Sequence, residues 1–481
     1  MSLPVSDHPP TELDGPQEQP PKSPDFKTTV KSFLSHLTPL HRAFLLILVL
    51  SQLLLALYVT HPPKFKLSPP SSAQPPPDSQ PLDECDSRRI YVYDLPPTFN
   101  HQLKEKSCNV TNHCDRYSND GFGPPAATEL AGVVPESLLP AWHWTDAFSG
   151  DVLFHDRMLN YRCRTLEPES ATAFYLPFYV GLALGSEHQS RLDMFMKSVQ
   201  ASRWWNRSKG SDHFIMLGRP TWHFRGPMEG KPGGSSFLNL PGISNHVVHL
   251  SLERNMWDNL EVAVPYPTVF HPRSESDVVE WQSFVRSRKR NHLFAFLGGR
   301  RESVEDGLRG VLQKQCLDAP AAACRRLDCY GSLCGADGTR AVMAAFLDSD
   351  FCLQAEGDML STRALVECVL AGSIPVFFNT EVGYWQYELF MPVEPDSYSV
   401  FIHDEDVWNG TEVRRVLEGY GRKEVERMRE KVIEIMPRLL YAKSSRGLEE
   451  TRDAFDIAIE GVLSKFKAHM ERSRIENWNE I

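Results

Sequence analysis

The stretch 351–378, FCLQAEGDMLSTRALVECVLAGSIPVFF, holds the residues whose types and spacing are best suited to chemistry. An apolar run, FCLQ, leads into a loop containing Gly357 and Asp358. Ser361 and Thr362 are good helix N-caps, so a helix is expected to begin there. Arg363 falls in its first turn, Glu367 one turn later, and Gly372 closes it before a second apolar run, IPVFF. The N-terminus of a helix presents unpaired N–H groups and the positive end of the helix dipole, which together attract phosphate. Arg363 adds a guanidinium fork that fits a diphosphate. Glu367, an acceptor only, could hold two hydroxyls of a ribose. Anion-binding groups followed by a sugar-binding carboxylate suggest a nucleotide-sugar site. The same four-residue spacing also allows Arg363 and Glu367 simply to pair with each other.

Other segments carry weaker signals. Gly298-Gly299-Arg300-Arg301 follows the apolar run HLFAFL, and a glycine pair after a strand permits close approach of a phosphate. Asp348-Ser-Asp350 has the form of a metal-binding triplet but precedes a strand pattern instead of ending one, so it reads as a turn. Asp404-Glu-Asp406 reads as a surface turn or helix start. Cys316, Cys324, Cys329 and Cys334 cluster without the Cys-x-x-Cys spacing of a zinc site, so disulfides fit them better than a metal.

These residues need a scaffold, and the pattern around them supplies one. Short apolar runs at 90–95, 173–178, 213–217, 246–250, 292–297, 351–354 and 374–378 read as strands. Many are apolar throughout, as in parallel sheets covered on both faces. Helical patterns alternate with them, as at 192–199 and 362–370, which argues for α/β architecture. The stretch 421–470 is rich in Glu, Arg, Lys and Leu and reads as one or two long helices. A boundary near 272–290 divides the chain into 85–275 and 276–445, with a helical segment 446–481. The basic run Arg286-Ser-Arg-Lys-Arg290 in that boundary reads as solvated surface. Ligands of such sheets sit at the carboxyl ends of the strands.

The N-terminal part differs. Residues 1–42 are polar and proline-rich, as in a disordered cytoplasmic tail. Residues 43–60, AFLLILVLSQLLLALYVT, form an uncharged stretch just long enough to span a bilayer. Lys22, Lys27, Lys31 and Arg42 precede it and Lys64 and Lys66 follow, a bias that places the N-terminus in the cytoplasm. The proline-rich 61–84 reads as an extended stem. All ten cysteines lie beyond the span, consistent with disulfides in an oxidising lumen. Cys352 and Cys368, in apolar runs, read instead as buried thiols. Sequons at Asn109, Asn206 and Asn409 suit the same compartment. With 51 basic and 62 acidic side chains, a net charge of −11 disfavours a nucleic-acid partner.

Eight ordered motifs complete the reading: IYVYDLPPTFN, NDGFGPP, VLFHDRMLNYRC, FYLPFYVG, DHFIMLGRPTWHFR, VPYPTVFHP, LFAFLGG and the 351–378 segment. Together, from Arg89 to Tyr441, the chain resembles the exostosin-like plant glycosyltransferases typified by xyloglucan galactosyltransferases. The resemblance implies a GT-B fold, with two Rossmann-like domains facing a cleft and a nucleotide-sugar site in the C-terminal half. It implies a type II Golgi membrane protein behind a single signal-anchor helix. It further implies inverting transfer from UDP-galactose, or UDP-galacturonate in some relatives, to a xylosyl side chain of xyloglucan. By motif, Gly357, Asp358, Thr362, Arg363 and Glu367 fall on donor-binding positions. Two departures stand out: Ala355-Glu356 replaces a Pro-Pro pair with loss of one of two arginines, and Trp222-His223-Phe224 replaces Trp-Asp-Phe.

Inverting transfer needs a general base and a stabilised leaving diphosphate. Without a metal cofactor, Arg363, Arg300 and the helix N-terminus would neutralise the leaving group. Asp212 and His213, beside a predicted strand, are the preferred base candidates, with His223 a third. Trp222, Trp204 and Trp205 could stack on sugar rings. Two other classes stay open at this point: a non-catalytic subunit in a homo- or hetero-oligomer with other glycosyltransferases, and a secreted carbohydrate-binding or hydrolytic protein.

Overall fold

The computed structural model describes residues 51–52, 84–111, 115–184, 188–226, 234–298, 307–328, 338–356 and 359–479. The chain divides into Met1–Pro81 and Leu82–Ile481. In the first unit only Ser51 and Gln52 are described, as helical and exposed, so the tail, the expected span 43–60 and nearly all of the stem lie outside the described residues. Among the described residues no helix is long and apolar enough to cross a membrane.

The second unit holds two sheets, and every strand pair in them is parallel. The first comprises β1 (Ile90–Val92), β2 (Arg164–Thr165), β3 (Ala173–Tyr175), β4 (His213–Met216), β5 (Val248–Ser251) and β6 (Glu261–Ala263), in the order β2-β1-β3-β4-β5-β6. The second comprises β7 (His292–Gly298), β8 (Cys324–Asp328), β9 (Ser349–Gln354), β10 (Ile374–Phe377) and β11 (Val400–Phe401), in the order β11-β10-β9-β7-β8. These are the two Rossmann-like α/β halves expected of a GT-B arrangement. All seven expected strands form, and central strands such as β4 and β10 are buried at every position. The four further strands lack an apolar run. β2 and β11 are two-residue edges, β8 reads CRRLD at the other edge, and β6 begins with a buried Glu261 held by Arg225.

Parallel neighbours require crossovers, and helices supply several of them, though β5 reaches β6 through 252–260 without one. α1 (Gly150–Leu159) lies between β1 and β2, and α2 (His188–Gln200) between β3 and β4. α3 (Glu275–Ser287) links the two sheets. α4 (Leu308–Asp318), α5 (Thr339–Leu347) and α6 (Arg363–Leu370) serve the second sheet. The stretch 421–470, read as one or two long helices, holds two: α7 (Arg422–Ile435) and α8 (Ala454–Asn479). α8 returns to the first sheet, where Phe466 approaches Phe214 at 6.5 Å between ring centres and Lys465 Nζ donates to the Asn259 carbonyl at 2.7 Å. One apolar core runs from Phe214 and Leu250 in the first sheet to Phe351 and Val376 in the second.

Several sequence readings are corrected here. Cys352 and Cys368 are not thiols; they form a disulfide that ties β9 to α6, beside bridges Cys85–Cys163 and Cys316–Cys324. Arg290, at the end of the basic run, is not solvated surface. Its guanidinium donates to the carbonyls of Phe346, Ser349 and Ala371 and to Ser373 Oγ, joining the ends of α5 and α6 to β9. Burial pushes its pKa down to about 9. A run of charges looks solvated in sequence because nothing local marks the one member that turns inward. Ser349 and Asp350 open β9 instead of forming a turn, and Asp348 caps α5. Asp348 accepts from Asn291 and His292, and Asp350 accepts from Arg429, so both carboxylates are occupied in packing.

The return of the C-terminal segment rests on a buried ion pair. Arg157 of α1 donates to Asp453 at 2.5 Å, with side-chain exposures of 4% and 0%, and lies 4.5 Å over the Phe455 ring. The Asp453 carboxylate also accepts from the N–H groups of Ala442 and Asp456. Asp453→Ala leaves the guanidinium buried without its partner, a change expected to lower stability by about 3–5 kcal/mol. Denaturant unfolding of the two proteins checks this; a loss under about 1 kcal/mol would show the pair to be dispensable.

Candidate active site

The strand order of the second sheet locates its crevice. The chain passes from β7 outward to β8, then back across to β9, so the order reverses between β7 and β9. Loops leaving the carboxyl ends of strands on either side of such a reversal open a ligand crevice. The expected donor residues follow these two strands. Arg300, Gly357 and Asp358 lie outside the described residues. Thr362, Arg363 and Glu367 are described.

Thr362 is the N-cap of α6, in extended conformation, and its side chain makes no hydrogen bond to the first turn. Gly372 closes the helix at φ 66°, where an added Cβ would lie 2.3 Å from Val285 Cγ1. Arg363 donates through Nε to Glu367 Oε1 at 2.7 Å and through Nη1 to the Thr145 carbonyl at 2.8 Å. Its Nη2 is buried and has no hydrogen-bond partner among the described residues. Of the two sequence readings the pairing is observed, and one guanidinium nitrogen stays outside it. Burial raises the Glu367 pKa, and the Arg363 charge opposes that shift.

The facing side comes from the carboxyl ends of the first sheet. Thr145, whose carbonyl holds Arg363, is fixed by its own hydroxyl, which contacts the Phe122 carbonyl at 2.8 Å and His271 Nε2 at 2.7 Å. Glu253, two residues past β5, accepts the Ser361 N–H through Oε2 at 3.2 Å, just before α6. It is 5% exposed. Burial raises its pKa, the Ser361 and Leu360 N–H groups and the Trp222 side chain lower it by hydrogen bonding, and the nearby Glu356 charge raises it further. Arg254 and Gln386 exchange two hydrogen bonds at 3.0 Å across the same junction. Trp222, in the loop after β4, is 37% exposed and stands edge-on against His223.

A second buried carboxylate orders the loops on this side. Asp151, at the start of α1, accepts the Gly181 N–H at 3.1 Å, while its Oδ1 has no hydrogen-bond partner among the described residues. Burial pushes its pKa up to about 7. It packs against Gly218, where φ is 62° and an added Cβ would lie 1.3 Å from Asp151 Oδ1. Arg219 Nε donates to the Gly181 carbonyl at 3.0 Å, so the loops after β3 and β4 are cross-linked.

Asp212 and His213 are not brought to this crevice. They open β4, at the amino end of the sheet, whereas Glu253 contacts Ser361 from the carboxyl end. Asp212 accepts from Arg207, Ser208 and His213 Nδ1, and His213 Nε2 contacts the Tyr93 hydroxyl at 2.8 Å. The His213 ring is fully buried and stacked on Phe174 at 4.8 Å. Trp204 and Trp205 flank this amino-end pair, Trp204 stacking on Phe174 and Trp205 edge-on to His213, so of the three candidate tryptophans only Trp222 lies at the crevice end. The helix start expected at Asp404 is found there. Asn206 and Asn409 are exposed, and the Asn109 side chain lies outside the described residues.

Sequence reasoning missed Glu253, Asp151 and Thr145. Glu253 carried one usable signal: it is the first acid after a strand that ends toward the crevice. Nothing local marks Asp151 or Thr145, whose partners lie 30 and 218 residues away.

The model of the Exostosin GT47 domain matches residues 84–417. Xyloglucan galactosyltransferase XLT2 of Arabidopsis thaliana is 47% identical over 398 residues, covering 80% of this chain and 76% of that protein. Probable xyloglucan galactosyltransferase GT12 of the same plant is 35% identical over 405 residues, covering 81% and 78%. Xyloglucan-specific galacturonosyltransferase 1, also from Arabidopsis thaliana, is 33% identical over 395 residues, covering 79% of this chain and 57% of the relative.

The placement of Asp212 and His213 has a measurable consequence. Asp212→Asn weakens a half-buried hydrogen-bond set, so it should lower stability by about 1–3 kcal/mol. Sugar transfer by the protein that remains folded should stay within about threefold of the native rate. A kcat loss of about a hundredfold, the scale of a missing general base, would return this pair to the chemistry.

Proposed function

Because the chain belongs to the exostosin GT47 family and is a glycosyltransferase, we propose that it moves galactose from UDP-galactose, with inversion, onto xylosyl side chains of xyloglucan. The observation that carries this is Arg363: a guanidinium at the head of α6, held on two sides by Glu367 and Thr145, with Nη2 buried and without a partner among the described residues. A charge-assisted donor in that place suits a diphosphate, and the uncapped first turn of α6 adds its N–H groups. Glu367 keeps a second carboxylate oxygen for a ribose. Arg300, Gly357 and Asp358 complete the donor site in this reading, on the strength of their sequence positions. Trp222 offers an exposed ring to an acceptor sugar.

The choice of galactose follows the 47% identity to XLT2; galacturonate is the alternative, since a galacturonosyltransferase is 33% identical. No metal takes part in this reading, because Arg363 and α6 supply the positive charge. The protein is anchored in the Golgi membrane by 43–60 with its catalytic region in the lumen. Support for this comes from the uncharged stretch, the flanking basic residues, the disulfides and the sequons Asn109, Asn206 and Asn409.

The test uses the full-length chain in mild detergent, xylosylated glucan oligosaccharides and a panel of UDP-sugars, with a chelator present. Transfer from UDP-galactose should proceed unchanged by the chelator. Arg363→Ala should weaken UDP binding by tenfold or more, as loss of a hydrogen bond to a charged group contributes about 1.5–3 kcal/mol. Full activity in Arg363→Ala, or transfer abolished by the chelator, would sink this account of donor binding.

A further inference from the structure

We propose that Glu253 is the catalytic base, the carboxylate that takes the proton from the acceptor hydroxyl. The proposal rests on the glycosyltransfer reading above and names the residue that reading leaves open. If the donor is held at the head of α6 in the second half of the fold, the base must reach it from the first. Parallel strands restrict that reach to loops at the carboxyl ends, and Glu253 is in one of them. Its Oε2 lies 3.2 Å from the Ser361 nitrogen, two residues before Arg363, so it already stands against the segment that carries the diphosphate-binding group. Trp222, the exposed aromatic ring of the crevice, contacts the same carboxylate, which places a sugar-stacking surface beside a proton acceptor.

The other ionisable groups near the crevice are less suited. Asp151 is turned against Gly181 and Gly218 of its own half, where it clamps two loops. Asp146 is paired with Arg116. His143 is pushed down to about 4 by burial and by the Lys443 charge, which makes it a weak base. Asp212 and His213 are at the far end of the sheet.

In the step itself, the acceptor oxygen forms its bond to the anomeric carbon while Glu253 receives the hydroxyl proton. The bond from that carbon to the β-phosphate oxygen breaks, and its electron pair leaves on UDP. The negative charge lost by the carboxylate appears on the departing diphosphate, so atoms and charge balance.

Glu253→Gln separates the base from a positioning residue. Glutamine keeps a carbonyl oxygen able to accept from Ser361, so the contact between the halves survives while basicity is lost. The expected result, with the full-length protein in detergent, is a kcat lower by about 10²–10⁴, with KM and UDP affinity within about threefold and unfolding unchanged. In the native protein kcat/KM should fall on the acid side, because protonated Glu253 cannot accept; its midpoint should lie above that of an ordinary glutamate, since the folded pKa is raised. The residual rate of Glu253→Gln should lack that limb. A variant keeping more than a tenth of the native rate overturns the assignment, as does a loss confined to KM or UDP affinity. A native chain that neither binds UDP nor transfers sugar overturns the glycosyltransfer reading and this assignment with it.

Discussion

Two parallel strands cannot be joined by a hairpin; the chain must leave at the carboxyl end and travel back over a face of the sheet. Here that constraint applies to every strand pair in both sheets. It sends every outgoing loop of a sheet to one end, and the returning chain buries the central strands, as at β4 and β10. The apolar strands and the placement of the crevice thus have a common cause. The same constraint separates Asp212 and His213 from the head of α6. Their place at the start of β4 leaves them a structural network with Tyr93, Ser208 and Arg207, however suitable their side chains are in isolation.

Around the head of α6 the fold spends its strongest local restraints. The Cys352–Cys368 disulfide fastens β9 to α6, the strand before residues 355–362 to the helix after them. Arg290 gathers the carbonyl ends of α5 and α6 and the start of β9 from behind. Tyr387 holds Ser361 by its hydroxyl at 3.1 Å. A buried Arg–Glu pair is a weak source of stability, because desolvation offsets the attraction between the charges. The Arg363–Glu367 pair is better understood as orientation: two partners hold the guanidinium at two nitrogens and aim the third.

The parts legible in sequence were those encoded over short range. Strands such as IPVFF and HLFAFL carried their own signal, and Arg363 and Glu367 were visible because one helix holds both. What was hidden depends on partners distant in the chain. Arg290 looked like one of a solvated row, and its four acceptors lie 56 to 83 residues away. Cys352 and Cys368 looked like core thiols because an apolar run does not reveal a disulfide partner on the next element. Glu253 was passed over because an acid after a strand becomes significant only once the sheet shows which way that strand points and which loop it meets.

In the proposed reading, a crevice that admits a diphosphate and also holds a carboxylate base faces opposed electrostatic demands. Glu253, Glu356 and Glu367 all lie near the head of α6, with Arg363 as the facing cation. Each acid is restrained: Glu367 by Arg363, Glu356 by Asn379, and Glu253 by backbone N–H groups. Like charges brought together raise a carboxyl pKa, as Glu356 already does for Glu253, and a bound diphosphate would add to the effect. That added repulsion makes Glu253 a stronger proton acceptor when the donor is present. As the leaving group gains negative charge, Glu253 loses its own by taking the proton. The Glu356 charge thus acts in the same direction as the proposed proton transfer.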